Sequence, residues 1–402
     1  MGQQLAERIE RVLRFMLVLH VALMPLALGG REPWALGMGA TFLGFAWAAW
    51  LIAAALRGKL RLRGDFLFLV PVALLAMAFA QLVPNAPWTA LGPANVARWQ
   101  ELSAALGTEL APRLCLAPAQ ATDAISVLVL TLSFAFLAYQ LFGTQRGLLQ
   151  LALAVVAAAL LNAALGYATF FEAIKAPYES LRGASWSTVM AGTFWNRNHF
   201  GELMVAGALH AVGIALAVWF THLQRERKRP TGLLRYLRLH WQGLVMTAAV
   251  IALALAGAEV LSLSRGGFLA GTFALLLLLS LAWCRRSARS RLAMFTLAFL
   301  LLAVVGGQPT LGKLADRFDS LLGVRELTLN GRVWIWRESL VVLRKHWLAG
   351  IGPEAFSTVS PRYEGPWKGE LISLHAHNDW LELLIEYGLP LGTMVLAAAF
   401  VW

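Results

Sequence analysis

The sequence predicts an all-α fold, a polytopic transmembrane helical bundle with one large helical loop on its outer side. Three observations predict it. Charged residues are only 14% of the 402, against about 25% in soluble domains. Hydrophobic residues reach 59% and gather in blocks close to the roughly 20 residues that cross a bilayer. Basic residues recur in every second gap between those blocks.

The apolar blocks fall at 12–29, 34–56, 66–83, 124–142, 148–169, 200–220, 244–262, 268–283 and 292–305, and a tenth begins near Trp380. About ten spans are therefore expected. The first block follows Arg8, Arg11 and Arg14, and Gly-Gly-Arg-Glu-Pro comes after it. That is no small-x-small cleavage site, so the block reads as a retained signal anchor. In the last block Glu382, Glu386 and Gly388-Leu389-Pro390 interrupt the first half, and only 389–402 is strongly apolar. Further spans are expected beyond Trp402. The chain reads as one transmembrane domain, 1–402, with the segment 308–379 inserted between its last two spans.

The formal charge of +12 invites a nucleic-acid reading, and its distribution argues against one. Arg8, Arg11, Arg14, then Arg57, Lys59, Arg61, Arg63, then Arg146, then six residues of 225–238 and four of 285–291 make 18 basic residues. These segments hold only four acids, Glu7, Glu10, Asp65 and Glu226. An excess of Lys and Arg in alternate gaps is the positive-inside pattern. It places the N-terminus in the cytoplasm of a bacterial inner membrane. Contact with anionic headgroups of the membrane lipids is a secondary expectation. The two cysteines, Cys115 and Cys284, fall on opposite sides of the bilayer, so no disulfide or thiolate metal site is expected.

Two outer gaps are long. The segment 81–123 is rich in Pro, Ala and Trp and is expected to lie against the membrane surface. The segment 308–379 holds Trp334, Trp336, Trp347, Phe356, Tyr363 and Trp367. A loop that long is functional or disordered, and its aromatics argue against disorder. Val333, Trp336, Leu340 and Leu343 recur at helical spacing, which predicts a helix over 331–346.

Four clusters could carry chemistry, and all are expected on the outer face. The first is the string GTFWNRNHFGE at 192–202. It sets Arg197, flanked by Asn196 and Asn198, at the start of a span. Free N–H groups and the dipole make a helix N-terminus an anion site, and an arginine adds a planar fork for phosphate oxygens. The competing reading is an arginine snorkelling to headgroups with Asn198 as a cap. The second is LSLSRGGF at 261–268, where a tight Gly-Gly turn is expected to hold Arg265 near the surface. Glu259 stands behind Arg265 as a supporting group, and a structural ion pair between them is the alternative. The third joins Arg332 in NGRVWIW to GIGPEAF at 350–356. The glycines lack a strand–turn–helix context for a dinucleotide, and Arg332 is either a phosphate contact or a loop salt bridge. The fourth is HAHNDWLE at 375–382. A histidine there could act as a base near neutral pH, with Asp379 or Glu382 fixing its tautomer. It could instead cap the helix, and His-x-His could bind metal, although zinc sites ask for a third or fourth ligand. Together, two or three arginines and a histidine suit a polyprenyl-diphosphate substrate. The arginines would offset charge on the departing diphosphate.

The strings GTFWNRNHFGE, LSLSRGGF, NGRVWIW, GIGPEAF and HAHNDWLELLIEYGLPLG resemble the O-antigen ligase-related family of ligases, polymerases and protein O-oligosaccharyltransferases. The resemblance covers about 171–402. It implies a membrane glycosyltransferase that moves a glycan from undecaprenyl diphosphate to an acceptor hydroxyl at a periplasmic site, inverting and without a metal or other cofactor. By motif, it implies that Arg197 and Arg265 bind the diphosphate and that His377, before Asn378, is the catalytic base. His375 has a weaker claim, and Arg332 matches the family's loop arginine. Implied partners are the lipid-linked glycan donor and a lipid A-core or glycan acceptor. A polymerase is the alternative within the family. A transporter of polysaccharide precursors is the alternative from another class, and it would place its ionisable residues at the bilayer midplane.

Overall fold

The computed structural model describes residues 2–30, 32–60, 62–64, 69–172, 190–223, 239–283, 329–363 and 374–401. The expected span at 292–305, the basic residues of 225–238 and 285–291, Cys284 and Trp367 lie outside them. Every described helix is α or 3-10, and the protein is a polytopic helical membrane protein.

Helices α1 (Gly2–Leu23), α2 (Pro33–Leu56), α3 (Leu69–Leu82), α4 (Pro93–Leu106), α5 (Pro118–Leu141) and α6 (Gln145–Phe170) come first. Helices α7 (Arg197–Leu223), α8 (Trp241–Ser262), α9 (Arg265–Trp283), α10 (Leu329–Lys345), α11 (Phe356–Val359) and α12 (Asp379–Val401) follow. Among the described residues, α2, α5, α6, α7, α8 and α12 are long and apolar enough to cross a membrane, and α3 and α9 are shorter apolar helices. Nine of the ten apolar blocks thus fall on helices, with boundaries set by local chemistry. Pro33 opens α2, where a missing N–H costs nothing. Thr144 caps α6 by accepting from the Gly147 N–H at 3.1 Å. Gly107, at φ 65°, ends α4 in the left-handed conformation.

The chain divides into two compact units, Met1–Arg61 with Ala138–Phe318, and Leu62–Leu137 with Asp319–Trp402. In the first unit α6, α7 and α8 pack through small residues. Gly207 of α7 lies against Ala159 of α6 and Leu255 of α8, the close backbone approach that membrane helices favour. Phe200, Met204, Met190 and Leu255 fill that core.

The second unit unites the segment 81–123 with the described part of 308–379. Segment 81–123, expected against the membrane surface, also folds onto the later loop. Asn95 of α4 donates to the carbonyls of Leu114 and Gly350. Its Oδ1 accepts from His346 Nδ1 at 2.9 Å, and His346 Nε2 lies 3.5 Å from the Tyr363 hydroxyl. Leu116 N–H donates to Ile351, and Glu101 pairs with Arg362 at 2.7 Å. Beneath these contacts Ile335, Val342, Ile351, Phe356 and Ile385 form the core.

Since Asn95 presents an oxygen, His346 carries a proton on Nδ1. Burial pushes its pKa down to about 4 from the ordinary 6.5. Below pH 6.5 the unfolded chain takes a proton that the folded one refuses, so stability falls as pH drops towards 4. The full loss is about 3 kcal/mol. Cys115 reports on it, because the thiol is fully buried and burial raises its pKa to about 11. In a Cys284→Ser background, Cys115 should resist thiol reagents at neutral pH and become reactive after incubation near pH 4. A His346→Gln variant should lack that acid transition.

Helix α12 is broken at Gly388, whose φ of 80° and ψ of 161° are not helical. Pro390 has no N–H, and the freed carbonyls find partners in the loop. Ile351 N–H donates to Ile385, and Gly352 N–H donates to Glu386. Gln81 of α3 donates to the Glu386 and Ala349 carbonyls at 2.8 and 2.7 Å. Leu389 N–H turns to the Trp347 carbonyl at 2.7 Å. The break expected from the sequence is thus a packed joint.

Candidate active site

The arginine half lies in the first unit. Arg197 is the first residue of α7 and Arg265 the first of α9. Asn196, not Asn198, caps α7, since its Oδ1 accepts from the Asn198 N–H at 2.8 Å. Ser264 caps α9 by accepting from the Gly267 N–H at 3.2 Å. The two helix starts touch. A Cβ on Gly201, one turn into α7, would stand 3.0 Å from Ser264 Cβ and 3.2 Å from Ser262 Oγ. Each helix start presents about half an elementary positive charge, so two arginines and two dipoles gather in one place.

The loop that delivers Arg197 is pinned within its unit. The Thr193 hydroxyl lies 2.8 Å from the Pro25 carbonyl and 2.7 Å from Asn162 Oδ1. Trp195 Nε1 donates to Glu32 at 2.9 Å, and Gly29, at φ 72°, leaves room for the Phe194 ring.

The expected Gly-Gly turn before α9 is corrected. The left-handed residue is Leu263, at φ 54°, and Gly266 and Gly267 lie within the first turn of α9. The smallness of Gly267 admits the neighbouring Glu259, whose Oε1 lies 2.9 Å from where a Gly267 Cβ would stand. The ion pair considered for Glu259 and Arg265 is not among the described ion pairs. Glu259 is buried at 4% exposure, and its Oε1 has no hydrogen-bond partner among the described residues.

The histidine half lies in the second unit. Trp336 of α10 donates to the Ala376 carbonyl at 3.0 Å, and Ala376 is fully buried in the core. This anchor turns the two flanking histidines outward. Glu382 accepts from His375 Nδ1 and the Ala376 N–H, both at 2.9 Å. The carboxylate expected to orient the base therefore holds His375. Asn378 caps α12, accepting from the Leu381 N–H at 3.2 Å, and Asp379 sits in the first turn, where a carboxylate suits the dipole.

His377 differs from its neighbours. Its φ is 52°, left-handed for a residue with a Cβ, and it makes no side-chain hydrogen bond among the described residues. Its pKa is lowered by partial burial first, then by the Arg332 guanidinium and by His375, against Glu382 and Asp379. Arg332, near the start of α10, thus acts on His377 through its charge. A neutral imidazole that is solvent-accessible and unheld can accept a proton at neutral pH. No group of three or more His, Cys, Asp or Glu side chains placed to hold a metal occurs among the described residues.

The fold and these two sites define a membrane-embedded helical protein with cationic helix starts and an available histidine. Within that class, residues 248–396 match the family described as O-antigen ligase. The resemblance drawn from its motifs is borne out. A stretch of 115 residues is 32% identical to the exopolysaccharide production protein ExoQ of Rhizobium meliloti (strain 1021) and covers 26% of each chain. The match therefore spans about a quarter of that relative. No solved structure matches.

Proposed function

We propose that the chain is a membrane enzyme of polysaccharide assembly, a glycosyltransferase of the O-antigen ligase type. It takes a glycan from undecaprenyl diphosphate and passes it to an acceptor hydroxyl at the periplasmic face of the inner membrane. The observation that carries this reading is the contact of two arginine-led helix N-termini at Gly201 and Ser264. That arrangement suits a dianionic leaving group.

In this reading neutral His377 removes the proton of the acceptor hydroxyl. The freed oxygen attacks the anomeric carbon, the bond to the diphosphate breaks, and configuration inverts. Arg197 and Arg265 hold the charge that builds on the departing diphosphate. Partial burial first, and then the Arg332 charge, favours the neutral form of His377. No step asks for a metal.

Arg197→Ala and Arg265→Ala are each expected to abolish surface-polysaccharide assembly at unchanged membrane abundance. Activity should persist in EDTA. Full activity in both arginine variants would reject the assignment.

The partial likeness to an exopolysaccharide production protein favours a second reading, a polymerase that joins lipid-linked repeats. The product separates the two. Deleting a ligase leaves long lipid-linked polymer, whereas deleting a polymerase leaves single repeats.

A further inference from the structure

We infer that the second unit meets the outer surface of the bilayer at the broken turn of α12. On this inference Gly388 lies at the boundary, and Asp379–Tyr387 stands outside the hydrocarbon among lipid headgroups and water. By length and composition alone α12 would cross from Asp379. Three features place the boundary lower.

The first is the end of α3. This apolar helix of 14 residues stops at Gln81-Leu82, and Gln81 is bonded to the Ala349 and Glu386 carbonyls. The polar end of one span is therefore level with the break in another. The second is the irregular segment 347–352, which pairs with the broken turn through Trp347, Ile351 and Gly352. Its residues 349–352 are buried in protein, but Trp347 and Leu348 are not, and non-helical backbone does not face lipid within the hydrocarbon.

The third is α10, which runs beside the first half of α12. It is fixed by Trp336 to Ala376 at the top and by Trp347 to Leu389 at the bottom. Its outward side carries Arg337, stacked 4.8 Å over Trp334, and Arg344, both exposed. If α12 entered at Asp379, the Arg344 guanidinium, near the lower end of α10, would lie at hydrocarbon depth, where charge is strongly disfavoured.

At the level of the break two indoles face outward. Trp347 is 51% and Trp88 40% exposed, and Trp88 Nε1 donates to Ala80 in the last turn of α3. Tryptophans gather at the headgroup level because one end is apolar and the other polar. The partner of this collar is the outer leaflet itself. Gly388 lies ten positions after Asn378, so the His377 motif stands up to about 15 Å beyond the hydrocarbon along the helix axis.

The experiment uses the full chain with Cys115 and Cys284 replaced by alanine, in lipid nanodiscs. Single cysteines carrying a nitroxide label are placed at Leu340, Trp380, Phe79 and Met394, all exposed in the fold. Collision with dissolved oxygen and with a water-soluble nickel chelate is then read by electron paramagnetic resonance. The labels at Leu340 and Trp380 are expected to meet nickel far more than oxygen, and those at Phe79 and Met394 the reverse. Any other ordering overturns the inference, whether Trp380 reports lipid or reports contact with neither probe. The reading is independent of glycan transfer, so loss of the proposed activity would leave it untouched.

Discussion

His377→Ala is expected to lower glycan transfer by about 10²- to 10⁴-fold while leaving the protein at its normal level in the membrane. The expectation rests on the isolation of this ring. Its neighbour His375 is bound to Glu382, Asn378 caps a helix, and the Arg332 charge helps hold His377 below its ordinary pKa. The pH profile carries the sign. A base must be deprotonated, so kcat/KM should rise with pH and level off with a midpoint below 6.5. An Arg332→Gln variant removes a charge that lowers the pKa and should move that midpoint upward. His375→Ala should cost less than His377→Ala, because its Nδ1 is already engaged. An unchanged rate in the His377 variant, measured with donor and acceptor in membranes, would remove the base from the mechanism.

Gly350→Ala is expected to destabilise the second unit by about 2–5 kcal/mol, combining a left-handed backbone position with overpacking. Gly350 has φ +70°, and a Cβ there would run into the Glu386 carbonyl, with Gly388 N only 2.7 Å away. These are backbone atoms of a joint with no slack. Gly388→Ala meets the mirror of this problem, at φ +80° with the Leu348 carbonyl 2.5 Å from the new Cβ. Cys115 provides the readout, since Gly352 packs directly on it. In the Cys284→Ser background, either variant should expose Cys115 to maleimide at neutral pH, where the parent protein resists. Wild-type resistance in both variants would show that the joint tolerates a methyl group.

Hydropathy made most of the spans legible, because a bilayer asks each crossing segment for the same length and polarity. Arg197 and Arg265 were legible for the converse reason, as charges at the edge of apolar blocks. The sequence also announced the break in α12 through Gly388 and Pro390. What was hidden is the set of polar residues whose partners are remote. Asn95 sits in an unexceptional helix, and its meaning comes from His346 and Gly350, the latter 255 positions away. Gln81 and Asn162 did leave a signal, as uncharged polar residues inside apolar blocks. Such a residue must find a partner, although the sequence does not say which. The Gly-Gly turn was misread because glycine serves two needs, positive φ and close approach. In the first turn of α9 Gly267 serves only the second, and Leu263 takes the strained conformation.

The union of the two long loops has a consequence for how this protein is made. Residues 81–117 are made early in synthesis, long before 346–352 are translated. Until then Asn95 and Gln81 have none of their carbonyl partners from the later loop, and Cys115 has no cover. The second unit therefore cannot close in the order in which it is threaded into the membrane. Its early half has to wait, open, for a segment more than 200 residues downstream. The cost of closing so long a loop grows only slowly with its length. The delay is the larger burden, and it makes the half-built loop the stage most exposed to proteolysis and misassembly.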